Sequence, residues 1–349
     1  MGKIAIIISP NWRDYAEKYL QDCISSLRKQ TLQADKIFLI DNESTTISLN
    51  LLHRIAPEAE VICNQHNAGF AEGNNIAIKK AVAENFEYII LLNMDTISDG
   101  NAIKELWHSA NDNSEAGAIQ ARLMLWPDKE HINSLGNKTH FLGFGFSDAY
   151  RLKYTNDLNP RKEIFYPSGA AVLFKASTLK KVGLFDDNFW MYAEDQDLGW
   201  RIWLSGQKCI LANNSIVYHN YEFSRSVKKY FWMNRNRFLV ILKNYHILTI
   251  VLILPAFITM ELGQIFFSWR GGWLKLQFKV YAYLLKPSTW KYILLERKKI
   301  QNTRVKTDRE LKNLFSGVIE YQEISSLPLK IANFIFSLYW RIIKPLIIW

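Results

Sequence analysis

Residues 88–96 read YIILLNMDT: five apolar or aromatic side chains, Tyr88 to Leu92, run straight into Asn93, Met94 and Asp95. An unbroken apolar run of this length marks a strand covered on both faces, as in a parallel sheet sandwiched by helices. Three more runs share the pattern: KIAIIIS (3–9), KIFLID (36–41) and AEVIC (59–63). Between them and after the last lie segments with helical spacing, over roughly 14–29, 47–55, 71–84 and 99–113. This alternation predicts right-handed crossovers and an α/β fold, a mostly parallel sheet flanked by helices.

In such sheets ligands bind beyond the carboxyl ends of the strands, so the residue that ends a run projects toward a site. Three of the four runs end in polar residues: Ser9-Pro10-Asn11, Asp41-Asn42 and Asn93-Met94-Asp95. That recurrence favours a binding crevice over ordinary turns. Asp95 supplies the hard oxygen that Mg2+ or Mn2+ takes from a protein when phosphate and water complete its shell. NAGFAEGNN (67–75) sets Gly69 and Gly73 at a helix entry, where backbone can approach a ligand and free N–H groups suit phosphate; an ordinary loop and cap reads the same way. His219 follows a short strand and becomes a second metal ligand if the fold carries it to Asp95.

After residue 122 the alternation weakens. PSGAAVLFK (167–175) reads as a strand, EDQDLGWRIWLSG (194–206) as a helix closed by Gly206, and KCILANNSIVYHN (208–220) as two short strands. Asp186, Asp187, Glu194 and Asp195 flank an aromatic segment, and residues 194–197 fall in the first helical turn, where the dipole is expected to keep carboxylates ionised. Asp195 and Asp197 stand about 200° apart around a helix, so they cannot share one task. Asp197 is assigned a structural pairing with Arg201 at i, i+4. Asp195, beside Phe189, Trp190 and Tyr192, is assigned the work of a general base that takes a hydroxyl proton while aromatic faces hold the acceptor.

Three scattered cysteines, Cys23, Cys63 and Cys209, give neither a disulfide framework nor metal-ligand spacing and fit a reducing compartment. The apolar run before Pro10 is too short for a signal-peptide core. The net charge of +10 divides unevenly. Residues 1–224 hold 22 Lys and Arg against 27 Asp and Glu, whereas residues 225–349 hold 21 against 6. Basic residues interleaved with Leu, Ile, Phe and Trp point to an anionic membrane surface and away from nucleic acid. ILTIVLILPAFITMELGQIFFSW (247–269) is long enough to span a bilayer, yet Pro255, Glu261 and Gln264 suit an in-plane or protein-covered helix equally well.

Taken together, the motifs resemble family 2 glycosyltransferases with the A-type nucleotide-sugar fold, most closely the rhamnosyltransferase-like branch. The matching stretches are Asp41-Asn42-Glu43-Ser44, Asn67-Ala68-Gly69-Phe70-Ala71, Asn93-Met94-Asp95-Thr96, Ser168-Gly169-Ala170-Ala171, Phe185-Asp186, Met191 through Leu198, and His219, within residues 3–225. The resemblance implies that Asp41 reads a pyrimidine base, and that the Ser9–Pro10–Asn11 turn, Asn67, Gly69, Asn93 and Met94 help to hold the donor. It further implies that Asp95, with His219, binds Mg2+ or Mn2+ across a diphosphate. Asp195, next to Glu194, would activate the acceptor hydroxyl for inverting attack, with Trp190 and Tyr192 on the acceptor side. Two positions depart from the family pattern: Asn93 stands where an Asp-x-Asp motif has its first carboxylate, and SPNW replaces the common Asn-Tyr-Asn turn.

The expectation is a catalytic domain over 1–225 and a helical, basic, membrane-associating region over 226–349, acting at the cytoplasmic face of the cell membrane as a peripheral or monotopic protein. Its partners would be a dTDP- or UDP-sugar, with dTDP-rhamnose the leading donor, and a lipid-linked saccharide in surface polysaccharide synthesis. The alternatives are transfer directly to a polyprenyl phosphate, a catalytically inactive membrane scaffold, and a C-terminal region that packs on the catalytic unit or forms a homodimer.

Overall fold

The computed structural model describes residues 2–11, 14–155, 158, 162–221, 227–320 and 327–349. The four apolar runs form β1 (Ile4–Asn11), β2 (Lys36–Asn42), β3 (Glu60–Asn64) and β4 (Tyr88–Leu92), separated by helices α1 (Tyr15–Arg28), α2 (Thr46–Ile55) and α3 (Ala71–Ala83). Next come β5 (Thr96–Ser98), α4 (Ala102–Asp112), β6 (Ala116–Leu125), β7 (Ile132–Ser134), β8 (Asn137–His140) and β9 (Gly145–Ser147). β10 (Ala171–Lys175), α5 (Ala176–Val182), α6 (Glu194–Leu204) and β11 (Lys208–His219) complete the part that resembles a catalytic domain.

The described strands make a nine-stranded mixed sheet, ordered β3-β2-β1-β4-β10-β6-β11-β5 with β7 beside β6. β1 to β4 are mutually parallel; β10 enters antiparallel to both β4 and β6. Chain order reverses at β1, between β2 and β4, so the crevice opens at the carboxyl ends of β1, β2 and β4. The KCILANNSIVYHN segment is one bulged strand and not two, because β11 shifts register against β6 between Ala212 and Ile216 and continues.

The C-terminal region is helical as expected: α7 (Val227–Asn244), α8 (Ile247–Arg270), α9 (Leu274–Leu284), α10 (Pro287–Thr303), α11 (Asp308–Leu311) and, after β12 (Phe315–Ser316), α12 (Leu327–Ile343). It does not form a core of its own. β12 joins β8 in a small second sheet with β9. Trp200 of α6 packs edge-on against Tyr245, whose ring meets Phe315, and Phe141 stacks on Trp340 at 4.8 Å. One continuous apolar cluster thus crosses the 225/226 boundary.

Candidate functional site

The strand ends build the crevice. Ser9 Oγ donates to Asn93 Oδ1 (3.0 Å) and to the Leu92 carbonyl, tying β1 to β4. The β1–β2 register slips between Ile8 and Asn11, a break suited to Pro10, which has no N–H to give to a ladder. Asn11 beyond it donates to Asp41 Oδ1 at 2.8 Å. Asp41's other oxygen accepts from Ser48 Oγ at 2.6 Å, in the capping box that starts α2. Asp41 is fully buried, so its carboxylate braces Asn11 within this structure. Met94, in the turn that follows β4, is buried in the core cluster beneath the strands, so only its backbone faces the crevice.

Asp95 and His219 meet. β5 pairs antiparallel with β11, setting Thr96 opposite His219, and Asn220 N–H bonds the Asp95 carbonyl at 2.9 Å. His219 Nε2 lies 3.3 Å from Asp95 Oδ1, and both side chains are buried. Two residues that sequence reasoning missed complete the cluster: Tyr15, first in α1, donates its hydroxyl to Asp95 Oδ2, and Asn133 of β7 sits with Oδ1 3.0 Å from His219 Nδ1. Nothing in their sequence surroundings marks them, since both act through a partner far along the chain. Asn133 Oδ1 accepts from Nδ1–H, which leaves the Nε2 lone pair facing the carboxylate. Asp95 Oδ1 accordingly has no hydrogen-bond donor. Burial pushes the Asp95 carboxyl up, but an imidazolium at His219, in which Nε2 also carries a proton, and the Tyr15 hydroxyl outweigh that, and the net shift is downward; the neutral imidazole instead offers the Nε2 lone pair. Two buried electron pairs aimed at each other across 3.3 Å fit a divalent cation, whose adjacent octahedral ligands stand about 3 Å apart. Among the described residues no cluster of three or more His, Cys, Asp or Glu surrounds them, so a metal here draws its remaining ligands from phosphate and water.

Asp195 opens α6. Its Oδ1 accepts from Gln196 N–H at 2.8 Å, and Gly169 N–H also reaches the carboxylate. Gly169 lies in the loop whose next residue, Ala170, accepts from Asn93 N–H at 2.9 Å, so one loop borders both the base and the β4 end. Tyr221 adds a second link: its ring is 5.4 Å from that of His219, and it lies close to Tyr166 and Tyr192, as Glu194 does. The expectation that the first helical turn keeps its carboxylates ionised holds for Asp197, whose carboxyl is shifted down despite its burial, and is corrected for Glu194. Burial exceeds the helix-end effect, pushing Asp195 up to about 6 and Glu194 well above the usual range, with the neighbouring Asp195 charge adding to the latter. Glu194 Oε2 is buried without a partner. Asp197 faces the opposite way, bound to Arg201 Nε (2.9 Å), Lys243 (3.1 Å) and Asn244 (2.9 Å) in a buried network.

The segment before α6 is strained: Trp190, Tyr192 and Ala193 have φ of 58°, 70° and 65°. The N-terminal amides of α3, read in sequence as suited to phosphate, go instead to this segment: Phe70 and Ala71 N–H both bond the Trp190 carbonyl. Gly69 likewise gives its close approach to Trp190, since a Cβ there would lie 2.5 Å from that residue's side chain and carbonyl. Asn67 Oδ1 accepts from Gly69 N–H (3.0 Å), and its carbonyl takes the Trp190 indole N–H. Trp190 and Tyr192 are partly exposed, whereas Phe189 is core, under the Lys243 ammonium.

With this geometry in view, comparison with known proteins gives a family. The family model described as glycosyl transferase family 2 matches residues 6–183, half of the chain. The chain belongs to glycosyl transferase family 2. Two curated relatives, both N-acetylglucosaminyl-diphospho-decaprenol L-rhamnosyltransferase from strains of Mycobacterium tuberculosis, are 23% identical over 239 residues, covering 62% of this chain and 75% of theirs. Among solved structures, GalNAc-T7 with UDP, GalNAc and Mn2+ is similar at a TM-score of 0.55 and 16% identity, over 70% of this chain. The match spans only 48% of that chain, and at such identity it speaks to the fold, which is the A-type glycosyltransferase fold. This family 2 protein is a glycosyltransferase.

Proposed function

We propose that this glycosyltransferase moves a sugar, with L-rhamnose from dTDP-rhamnose as the leading donor, onto a lipid-linked saccharide with inversion at the anomeric carbon. The supporting observation is the buried meeting of Asp95 and His219 just beyond β4, joined to Asp195 by the 168–170 loop, which bonds Asn93 at one residue and Asp195 at the one before it. The name of the distant relatives, which act on a lipid diphospho-N-acetylglucosamine, favours the same class of acceptor.

In this reading Asp95 and His219 Nε2 hold Mg2+ or Mn2+, which when bound offsets charge on the departing nucleoside diphosphate. Asn133 fixes the His219 tautomer, and Tyr15 orients the second Asp95 oxygen. Asn93, neutral and held by Ser9, lies beside the donor without adding charge. Ser9, Asn11 and Asn67 shape the nucleoside end of the crevice, with Asp41 bracing Asn11. Asp195, anionic above about pH 6, takes the acceptor hydroxyl proton as the oxygen attacks; Trp190 and Tyr192 line the acceptor side. Burial and the Asp195 charge push the Glu194 carboxyl toward its neutral form, which limits the negative charge beside the base.

We further propose that residues 226–349 hold the enzyme on the cytoplasmic face of a membrane in a monotopic manner. α8 is the described helix long and apolar enough to cross a bilayer. Its Glu261, however, turns inward to Arg237 and to the Tyr281 hydroxyl (2.9 Å), which favours a helix lying along the protein. Val251, Ile258, Leu262, Phe266 and Trp269 of α8, and Ile331, Phe334, Leu338 and Ile342 of α12, are each about half exposed or more. Exposed Lys275, Lys279, Lys286 and Lys291 lie nearby in sequence, a mixture suited to an anionic interface. The test of the catalytic reading is thermal shift with dTDP-, UDP- and GDP-sugars, each with and without Mn2+, followed by transfer to a lipid diphospho-saccharide. dTDP-rhamnose with Mn2+ should raise the melting temperature most; no stabilisation by any nucleotide sugar overturns the reading.

A further inference from the structure

We infer that Asn236 of α7, steadied by Arg235, is the positioning residue that sets the catalytic loop 188–193 and through it Asp195; this rests on reading Asp195 as the base. The loop places three non-glycine residues at positive φ within four positions, an arrangement that persists only where its surroundings impose it. What imposes it is a capture of five successive carbonyls. Arg235 Nη2 takes the Asn188 carbonyl and, at 3.2 Å, that of Phe189. Phe70 and Ala71 N–H take that of Trp190, at 2.7 and 3.2 Å. The Asn236 amide nitrogen lies 3.0, 2.9 and 2.6 Å from the carbonyls of Phe189, Met191 and Tyr192, so its two hydrogens serve three oxygens.

The amide cannot turn round. Its Oδ1 accepts from Arg235 Nε at 2.8 Å and Nη2 at 2.6 Å, so the NH2 must face the loop. Asn236 is wholly buried, and its neighbours on α7 extend the grip. Trp232 stacks on Trp190 at 4.8 Å, with the Arg235 guanidinium over the Trp232 ring at 4.4 Å. Only Ala193 and Glu194 separate the last captured carbonyl, that of Tyr192, from Asp195. No side chain of α7 is assigned contact with the reacting atoms; its work is to hold the acceptor aromatics and the base in register. A misplacement of about 1 Å at such a point is worth about 100-fold in rate.

The test compares Asn236→Ala and Asn236→Asp in the full-length protein with Thr249→Ala, an equally buried polar residue of α8 that holds Asp308. The probes are dTDP-rhamnose, Mn2+ and a short-chain lipid diphospho-saccharide. Both Asn236 variants should lose about 100-fold in kcat, with KM for the donor within about twofold of the parent. Their acid limb in kcat should move below pH 6 as Asp195 gains water. Thr249→Ala should lower the melting temperature without moving either quantity. Should Asn236→Ala not fold, Arg235→Lys, which keeps the charge but loses the fork, is expected to show a smaller loss of kcat and the same shift of the acid limb. Full kcat with an unmoved acid limb in the folded variant, or an equal effect from Thr249→Ala, overturns the proposal. Failure of the underlying reading is distinct: it shows as an active Asp195→Asn enzyme or a parent enzyme with no acid limb near pH 6.

Discussion

Replacing Asp195 by Asn tests both the chemistry and the electrostatics of the site. The amide keeps the shape and an oxygen to accept from the Gln196 and Gly169 N–H groups, so the fold has no reason to change. What it removes is a carboxyl whose affinity for its proton rises on folding, from an ordinary value of 3.8 to about 6. A group shifted upward favours the native state below its unfolded pKa, and that advantage is lost as the pH rises through the folded pKa. At pH 8 the parent therefore carries a penalty of two units and a little more, about 3 kcal/mol at about 1.4 kcal/mol per unit. The neutral variant escapes it. Asp195→Asn should thus melt several degrees higher than the parent at pH 8, with the gap closing toward pH 4. Transfer should fall by about 10²–10⁴, the range for a lost general base, while binding of the nucleotide sugar persists. The assays are scanning calorimetry from pH 4 to 8 and a transfer time course at pH 8. An inactive variant that is no more stable than the parent at pH 8 would refute the reasoning, because it would make Asp195 an ordinary surface carboxylate whose loss acts by misfolding.

Three further expectations follow from the same geometry. Asn133→Leu removes the acceptor that fixes the His219 tautomer and should weaken Mn2+ binding by about 10–100-fold, read by electron paramagnetic resonance of free Mn2+, with little change in melting temperature. Gly69→Ala puts a methyl 2.5 Å from Trp190 on a left-handed backbone; it should lose about 1–2 kcal/mol from that backbone alone, measured by denaturant unfolding, and lower kcat as the Trp190 loop moves. Leu262→Glu combined with Phe334→Glu should abolish flotation with anionic vesicles while leaving the melting temperature within a few degrees, because both side chains face outward.

The parallel half of the sheet was legible in the sequence because its physics is local. β1, β2 and β4 are buried nearly throughout and read as continuous apolar runs, with the helices between them starting within a few residues of expectation. β6 was not, since Gln120 and Arg122 interrupt it and its small residues resemble a loop; Gln120 is nevertheless wholly buried, receiving the Ser168 N–H at 2.7 Å. The antiparallel entry of β10 is a decision of tertiary pairing that no periodicity records. In the candidate site, the strand-end rule pointed to Asp95 and Asn93, which the structure sets at the end of β4, and the motif series pointed to Asp195 in the first turn of α6. Tyr15, Asn133 and Asn236 left no trace, because each acts on a residue brought to it only by folding. The upward shifts of Glu194 and Asp195 went unread for the same reason: helix position is local, but the burial that opposes it is assembled from Tyr166, the 168–170 loop and the α6 packing.

The aromatic stack that ties Trp200 to Tyr245, Phe315 and Trp340 has a practical side for anyone handling this enzyme in water. Trimming the greasy tail to gain solubility would strip the catalytic half of one wall and leave bare indole and phenyl rings behind. Detergent or selective repainting of the outward faces is the safer route, because the portion that looks like an attachment is also masonry.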